Sequence, residues 1–262
     1  MTGVYGCWEK KWKGSGEMGL ELLVLSDIHG NISALNAVLR MAESNYKVAA
    51  CVLLGDLIDY GMHTNEVIDT LTRLKYPVIC NIWGNHEHAV INKDYTFFSA
   101  DRGRECAKYT ESILNRQSFA YICGNMQSTG ITEFVYGEKK CLAVHGSAQN
   151  VYWKSIKADV EADCAYQDYD FVFSGHSHIP HFFEAYYETD DIRRRNKKKV
   201  IFINPGSVGQ PRNLNTMAQF AVVDPCTEKV VFEKAAYDIA YEQRAFTGQV
   251  DYFYSERLER GI

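Results

Sequence analysis

Residues 20–87 carry one arrangement three times: a short apolar run, then a cluster of Gly, Asp, Asn or His. The runs are 20–26 (LELLVLS), 49–54 (ACVLL preceded by Ala49) and 77–82 (PVICNI), each of strand length. The clusters are Asp27-Ile28-His29-Gly30-Asn31, then 55–61 (GDLIDYG), then Gly84-Asn85-His86-Glu87. Between the runs, Leu35, Val38 and Leu39, and then Val67, Ile68, Leu71 and Leu74, recur with helical spacing. The pattern predicts a β-α-β-α-β unit in a parallel sheet. Right-handed crossovers put all three clusters on one carboxyl edge, where open α/β sheets bind ligands. The glycines of 55–61 allow a tight turn that holds Asp56 and Asp59 there.

The remainder supplies two further clusters of this kind. Residues 141–144 read as a strand ending in His145-Gly146-Ser147, and 171–173 as one ending in Gly175-His176-Ser177-His178. Residues 95–118 read as a charged helical insertion covering the site, 119–140 as β, and 155–165 as a helix. From 181 the pattern turns to hairpins (181–188, 200–203, 219–223, 230–233), with helix from 237. No linker or internal repeat interrupts 18–262, which predicts a single domain. Residues 1–17 are Gly- and Lys-rich with no apolar segment, so they are no secretory signal. They read as a disordered tail or an over-extended start before Met18, or as a tail docked through Trp8 and Trp12.

Composition narrows the class. Apolar residues at 46% and charged residues at 23% argue against disorder. A formal net charge of −5 calls for neither a nucleic-acid nor a membrane partner. No apolar run approaches the ~20 residues of a membrane-spanning helix. Eight cysteines without a CxxC pair fit reduced thiols in a cytoplasmic protein, and exclude a cysteine zinc site by spacing. The basic run 193–199 follows Glu188, Asp190 and Asp191 and lacks interleaved aromatics, so it reads as a solvated hairpin tip.

Five strand ends therefore deliver Asp27, His29, Asp56, Asn85, His145, His176 and His178. Singly, Asp27 and Asp56 are candidate helix caps, Asn85 a turn residue, and the histidines ordinary loop residues. Together, mixed Asp/His/Asn donors suit divalent Mn, Fe, Ni or Zn. They are too many for one tetrahedral zinc, and the right number for two ions sharing a carboxylate. Two ions ~3.5–4 Å apart can activate a water and clamp both oxygens of an in-line phosphoryl displacement. His63, His88 and His181 match no such position and read as packing residues.

In order and spacing, DIHGN, GDLIDYG, GNHE, HG and GHSH resemble the calcineurin-like metallophosphoesterases. NPGSVGQPR at 204–212 is similar to the small bacterial and archaeal branch, which includes phosphodiesterases and diadenosine-tetraphosphate hydrolases. The resemblance implies a four-layer α/β/β/α sandwich of two mixed sheets. It implies one metal on Asp27, His29, Asp56 and His178, and another on Asp56, Asn85, His145 and His176, with Asp56 bridging. It also implies a catalytic His86 that protonates the leaving oxygen, with Asp59 holding its tautomer. Relatives that dephosphorylate phosphoproteins have a phosphate-gripping arginine where Tyr60 stands, so Tyr60 argues against a phosphoprotein pocket. Tyr60 then either packs or lines a base or sugar. Arg212 reads as a surface residue or a phosphate contact.

The expected activity is hydrolysis of a small phosphoester or phosphoanhydride, a dinucleoside polyphosphate being one candidate. A metal-bridging hydroxide would attack in line, with inversion at phosphorus. The alternatives are a nuclease or phosphoprotein phosphatase of the same superfamily, or a non-catalytic scaffold. The scaffold reading is disfavoured because His86 and all seven donors are present.

Overall fold

The computed structural model describes residues 21–157 and 163–262. The tail 1–17 lies outside the described residues, as does the middle of the helix expected over 155–165. In chain order the elements are β1 (Glu21–Leu25), α1 (Ile32–Asn45), β2 (Val48–Leu53), α2 (Thr64–Thr72), β3 (Val78–Asn81), α3 (Asn85–Asn92), α4 (Asp101–Ile113) and α5 (Arg116–Asn125). There follow β4 (Ile131–Tyr136), β5 (Lys139–Val144), β6 (Phe171–Ser174), β7 (His181–Glu188) and β8 (Lys197–Asn204). The chain continues through β9 (Ala218–Asp224), β10 (Lys229–Ala235), α6 (Ile239–Arg244) and α7 (Phe253–Glu256).

Two mixed five-stranded sheets form, ordered β10-β9-β1-β2-β3 and β4-β5-β6-β8-β7. β1, β2 and β3 are parallel, as are β5, β6 and β8; β9 pairs antiparallel with β1 and β10, β4 with β5, and β7 with β8. The period of two in β1 sorts its side chains between layers. Leu22 and Val24 face the second sheet, meeting Phe171, Phe173, Ile201 and Ile203. Leu23 and Leu25 face the other way, against Leu35 and Val38 of α1 and Val67 and Ile68 of α2. Each fully buried side chain of this kind contributes about 1.5–3 kcal/mol of transfer free energy. The far side of the second sheet is covered by Ile156, Tyr169 and the 3-10 turn Cys164–Tyr166. Two mixed sheets packed face to face with flanking helices are thus as expected, the fourth layer being this 3-10 turn and loop rather than an α-helix among the described residues.

Three local readings need correction. Residues 119–125 are not β: they belong to α5, capped by the Asn115 side chain, which accepts from the Ser118 N–H. Their aromatic and β-branched content is overridden by packing, since Ile122 is buried in the core and its carbonyl accepts from Trp83 Nε1. The stretch 95–118 is not one helix, because 95–100 is a loop and the helix breaks at Leu114 and Asn115. Third, residues 155–157 carry no helix. The GNHE cluster after β3 opens α3.

The two hairpins expected after 181 do form, but they divide between the sheets, β7–β8 in one and β9–β10 in the other. The basic run lies at the β7–β8 tip, where Arg193 and Arg194 pair with Asp191, and Lys199 with Glu184 and Glu228. Among the described residues no helix is long and apolar enough to cross a membrane, and the seven cysteines are free.

The C-terminal helices close against the first sheet's helices through Glu242. This buried carboxylate accepts from the Ser33 N–H and pairs with His63 Nδ1 at 2.8 Å. The hydrogen bond to Glu242 raises the His63 pKa above its usual value. A raised folded-state value means stability that is complete below the unfolded pKa of ~6.5 and lost as pH climbs through the folded one. Comparing the melting temperatures of wild type and His63→Gln should show a gap that is wider at about pH 6 than at about pH 9. A gap independent of pH would refute the coupling.

Candidate active site

The loops after β1, β2, β3, β5 and β6 meet at one edge. The first two are laced together by backbone: Asp27 N–H donates to Gly55 O (3.1 Å), His29 N–H to Asp56 O (2.9 Å) and Gly30 N–H to Leu57 O (3.0 Å). The third approaches so closely that a Cβ on Gly84 would stand 2.0 Å from Asp56 Oδ1. Glu87, buried on α3, accepts from the N–H groups of Gly84, Asp56, Leu57 and Ile58 at 2.7–3.2 Å. It clamps the β2 and β3 loops to one another. Asn31, not Asp27, caps α1, accepting from Ala34 N–H at 3.0 Å, which leaves the Asp27 carboxylate for the site.

The seven expected donors come together. The ligand atoms of Asp27, His29, Asp56 and His178 lie within 4.8 Å of one another, as do those of Asp56, His145 and His176. Asp56 belongs to both groups. Asn85 Oδ1 stands 3.0 Å from His145 Nε2 and 2.9 Å from His176 Nδ1, beside the second. Asp27, His29, Asp56, His176 and His178 all hold left-handed backbone, with φ between 48° and 63°. Such strain in non-glycine residues costs about 1–2 kcal/mol each and gathers where function requires it.

The donor set fits divalent cations for a specific reason. Nδ1–H of His29 donates to Ile58 O (3.1 Å), that of His178 to Gln210 O (2.6 Å), and that of His145 to Leu54 O (2.7 Å). In each neutral ring this leaves Nε2 as a bare lone pair. Yet Nε2 of His29 faces Nε2 of His178 at 3.2 Å. Burial pushes both histidines below the usual range, so two lone pairs confront each other with no proton between them. Asp27 Oδ1, buried and without a hydrogen-bond partner, points into the same space. Burial likewise holds His176 down to about 3. His145 differs: burial opposes its protonation, but Asp56 Oδ2, 3.2 Å away, carries it up to about 9. There a proton and a metal ion compete for one place.

Beside the donors, His86 Nδ1 lies 2.6 Å from Asp59 Oδ2. The other Asp59 oxygen accepts from Thr110 Oγ1 and Tyr60 N–H, both at 2.8 Å. Burial depresses His86, but the Asp56 and Asp59 carboxylates outweigh it and raise its pKa. The His86 backbone N–H also donates to Asp56 Oδ1 at 2.9 Å, tying the first turn of α3 to the shared carboxylate.

A cleft of about 360 Å³ opens over this centre. Phe98 meets His86 edge-on at 5.1 Å, and the exposed Phe97 stacks on Trp153 at 5.5 Å. Tyr60 is a wall: it stacks on Tyr254 of α7 at 4.6 Å and touches the rings of His29 and His86. Of these walls Tyr60 was singled out in the sequence, whereas Phe97, Phe98 and Trp153 were not, since they sit in loops with no periodicity. The stretch 204–212 stitches the two sheets across the site. Val208 N–H donates to Ser26 O, Gly209 N–H to Asp27 O, Ser207 Oγ to Asp27 O, and the Gln210 carbonyl orients His178. Gly209 is required there, because a Cβ would fall 1.8 Å from Ile28 O. His63 pairs with Glu242, His88 packs on Tyr152 at 4.6 Å and His181 on Phe183 at 5.6 Å, all outside the donor cluster.

Mixed Asp/His/Asn donors converging at the strand ends of a four-layer α/β sandwich define a metal-dependent phosphoesterase. Residues 20–228 match the calcineurin-like phosphoesterase superfamily domain, and the chain belongs to that family. An uncharacterised protein of Methanocaldococcus jannaschii is 29% identical over 229 residues, 85% of this chain and 90% of its own. The crystal structure of a metallophosphoesterase from Sphaerobacter thermophilus superposes with a TM-score of 0.70 at 25% identity, covering 93% of this chain and 100% of that one. A hypothetical protein from Pyrococcus horikoshii gives 0.73 at 22% identity over 92% of this chain and 98% of its own, a likeness of fold.

Proposed function

We propose that the protein hydrolyses a phosphoester or phosphoanhydride of a small substrate with the help of two divalent cations. Asp27, His29, Asp56 and His178 would hold one, and Asp56, Asn85, His145 and His176 the other. The observation that carries this reading is the facing pair of Nε2 atoms on His29 and His178, each denied a proton by a carbonyl on its Nδ1. Bound there, divalent cations supply positive charge to the phosphoryl oxygens and make water a competent nucleophile near neutral pH.

The rest of the chemistry belongs to the side chains. With Asp59 accepting from His86 Nδ1–H, the proton to be given away sits on Nε2, near the cleft wall formed by Phe98. As the P–O bond to the leaving group breaks, that oxygen takes the Nε2 proton, while water adds to phosphorus and releases a proton to solvent, from which His86 is reprotonated. Asn85 helps to orient the phosphate, and the aromatic walls limit access of bulk water. A 360 Å³ cleft suits a small molecule. A dinucleoside polyphosphate is the first nucleotide to assay.

The test is hydrolysis of bis(p-nitrophenyl) phosphate and p-nitrophenyl phosphate with added Mn²⁺, before and after chelation. Turnover that chelation lowers by about 10²-fold or more is expected. Metal-loaded protein inert toward every phosphoester offered would end the proposal in favour of a scaffold.

A further inference from the structure

One charged group beside the centre has no part in the chemistry above. The Arg212 N–H donates to the His178 carbonyl at 3.3 Å, and its side chain lines the cleft with Tyr60, His86 and His178. Arg212 Nε is buried without a hydrogen-bond partner, and the residue forms no ion pair among the described residues. Its surroundings make this worse. The buried Arg257 approaches the Tyr60 ring at 6.0 Å, and Arg102 lies over Phe253 at 3.9 Å. Arg102 is exposed, and Arg257 Nε donates to the Ile262 oxygen. Burial, and then the charge of Arg212, push Arg257 down to about 10. Arg212, the arginine that lines the cleft, thus keeps a buried Nε with neither a hydrogen-bond partner nor an ion pair among the described residues, in a chain of net charge −5. Withdrawing such a group from water without a partner is unfavourable, so the arrangement is explained by an anion that arrives from outside.

The position taken by arginine in phosphoprotein phosphatases is filled here by the Tyr60 wall. Arg212 brings a guanidinium into the same cleft from the loop that joins the sheets. We infer that Arg212 binds a second negative charge of the substrate, so that the site selects phosphomonoesters or phosphoanhydrides over singly charged diesters. This rests on the phosphoesterase reading and specifies its substrate class. The planar fork of the guanidinium suits two oxygens of one phosphate. That charge has two sources: the dianion of a monoester, or the neighbouring phosphate of an anhydride.

The experiment compares wild type, Arg212→Ala and Arg212→Lys on p-nitrophenyl phosphate, diadenosine tetraphosphate and bis(p-nitrophenyl) phosphate, with metal content measured throughout. Arg212→Ala should lower kcat/KM about 10- to 100-fold on one or both of the first two, naming the source. On the diester it should lose less than about 3-fold, metal content should hold, and lysine should restore part of the loss. Equal losses on all three substrates, or none on any, would overturn the inference. If wild type hydrolyses nothing, the function proposed above falls, and calorimetry with inorganic phosphate and pyrophosphate still decides the role of Arg212. Affinity weakened about 10-fold or more in Arg212→Ala sustains it, and unchanged affinity removes it.

Discussion

Asp56→Asn is expected to lose both metal and turnover. The substitution is conservative in shape, since an amide oxygen can still accept from His86 N–H as Asp56 Oδ1 does at 2.9 Å. What it removes is the charge shared by both donor groups, facing His145 Nε2 at 3.2 Å and His29 Nε2 at 3.7 Å. Burial would raise the Asp56 carboxyl, but His145, His86 and His29 around it outweigh burial and hold its pKa well below the usual carboxylate range. Losing about 5 kcal/mol of transition-state charge stabilisation corresponds to roughly 10⁴-fold in rate. Elemental analysis should show the metal content falling in parallel. Full metal occupancy with unchanged turnover would show that Asp56 does not join the two groups.

Asp59→Asn should separate chemistry from metal binding. The Asn oxygen can keep the bonds from Thr110 Oγ1 and Tyr60 N–H, so the loop should survive. Its amide would then present N–H to His86 Nδ1, where the carboxylate now accepts. The ring is forced into a neutral state with its proton on Nε2, and a neutral imidazole is a poor acid. Turnover should fall about 10²- to 10⁴-fold, and metal content should not change. Because Asp59 acts through His86, adding His86→Ala to Asp59→Asn should cost little beyond His86→Ala alone. Additive losses in that double-mutant cycle, or an unchanged rate for Asp59→Asn, would break the pairing.

The parts legible in the sequence are those with a period or a motif. β1 to β3 could be read because each is a buried run cut short by glycine and polar residues, and α1 and α2 because their apolar faces repeat at helical spacing. The seven donors were legible because each stands at a fixed offset from a strand end. α5 was not, since its aromatic and β-branched residues look like a strand until Asn115 caps them and Ile122 finds the core. Nor was the work of Glu87, whose four N–H partners come from two loops about 30 residues apart. The cleft walls share this property. Phe98 and Trp153 meet at 5.6 Å only because two unrelated loops fold over the same edge.

The left-handed backbone at Asp27, His29, Asp56, His176 and His178 bears on how such a chain can drift through evolution. Asp, Asn and His are the side chains, after glycine, that visit this region most readily. At these five positions conformation and ligation therefore favour the same residue types. Asn85, His86 and His145 have no positive φ, so chemistry alone retains them. A descendant of this fold that abandoned hydrolysis would shed those three first, while the other five lingered as fossils of its turns.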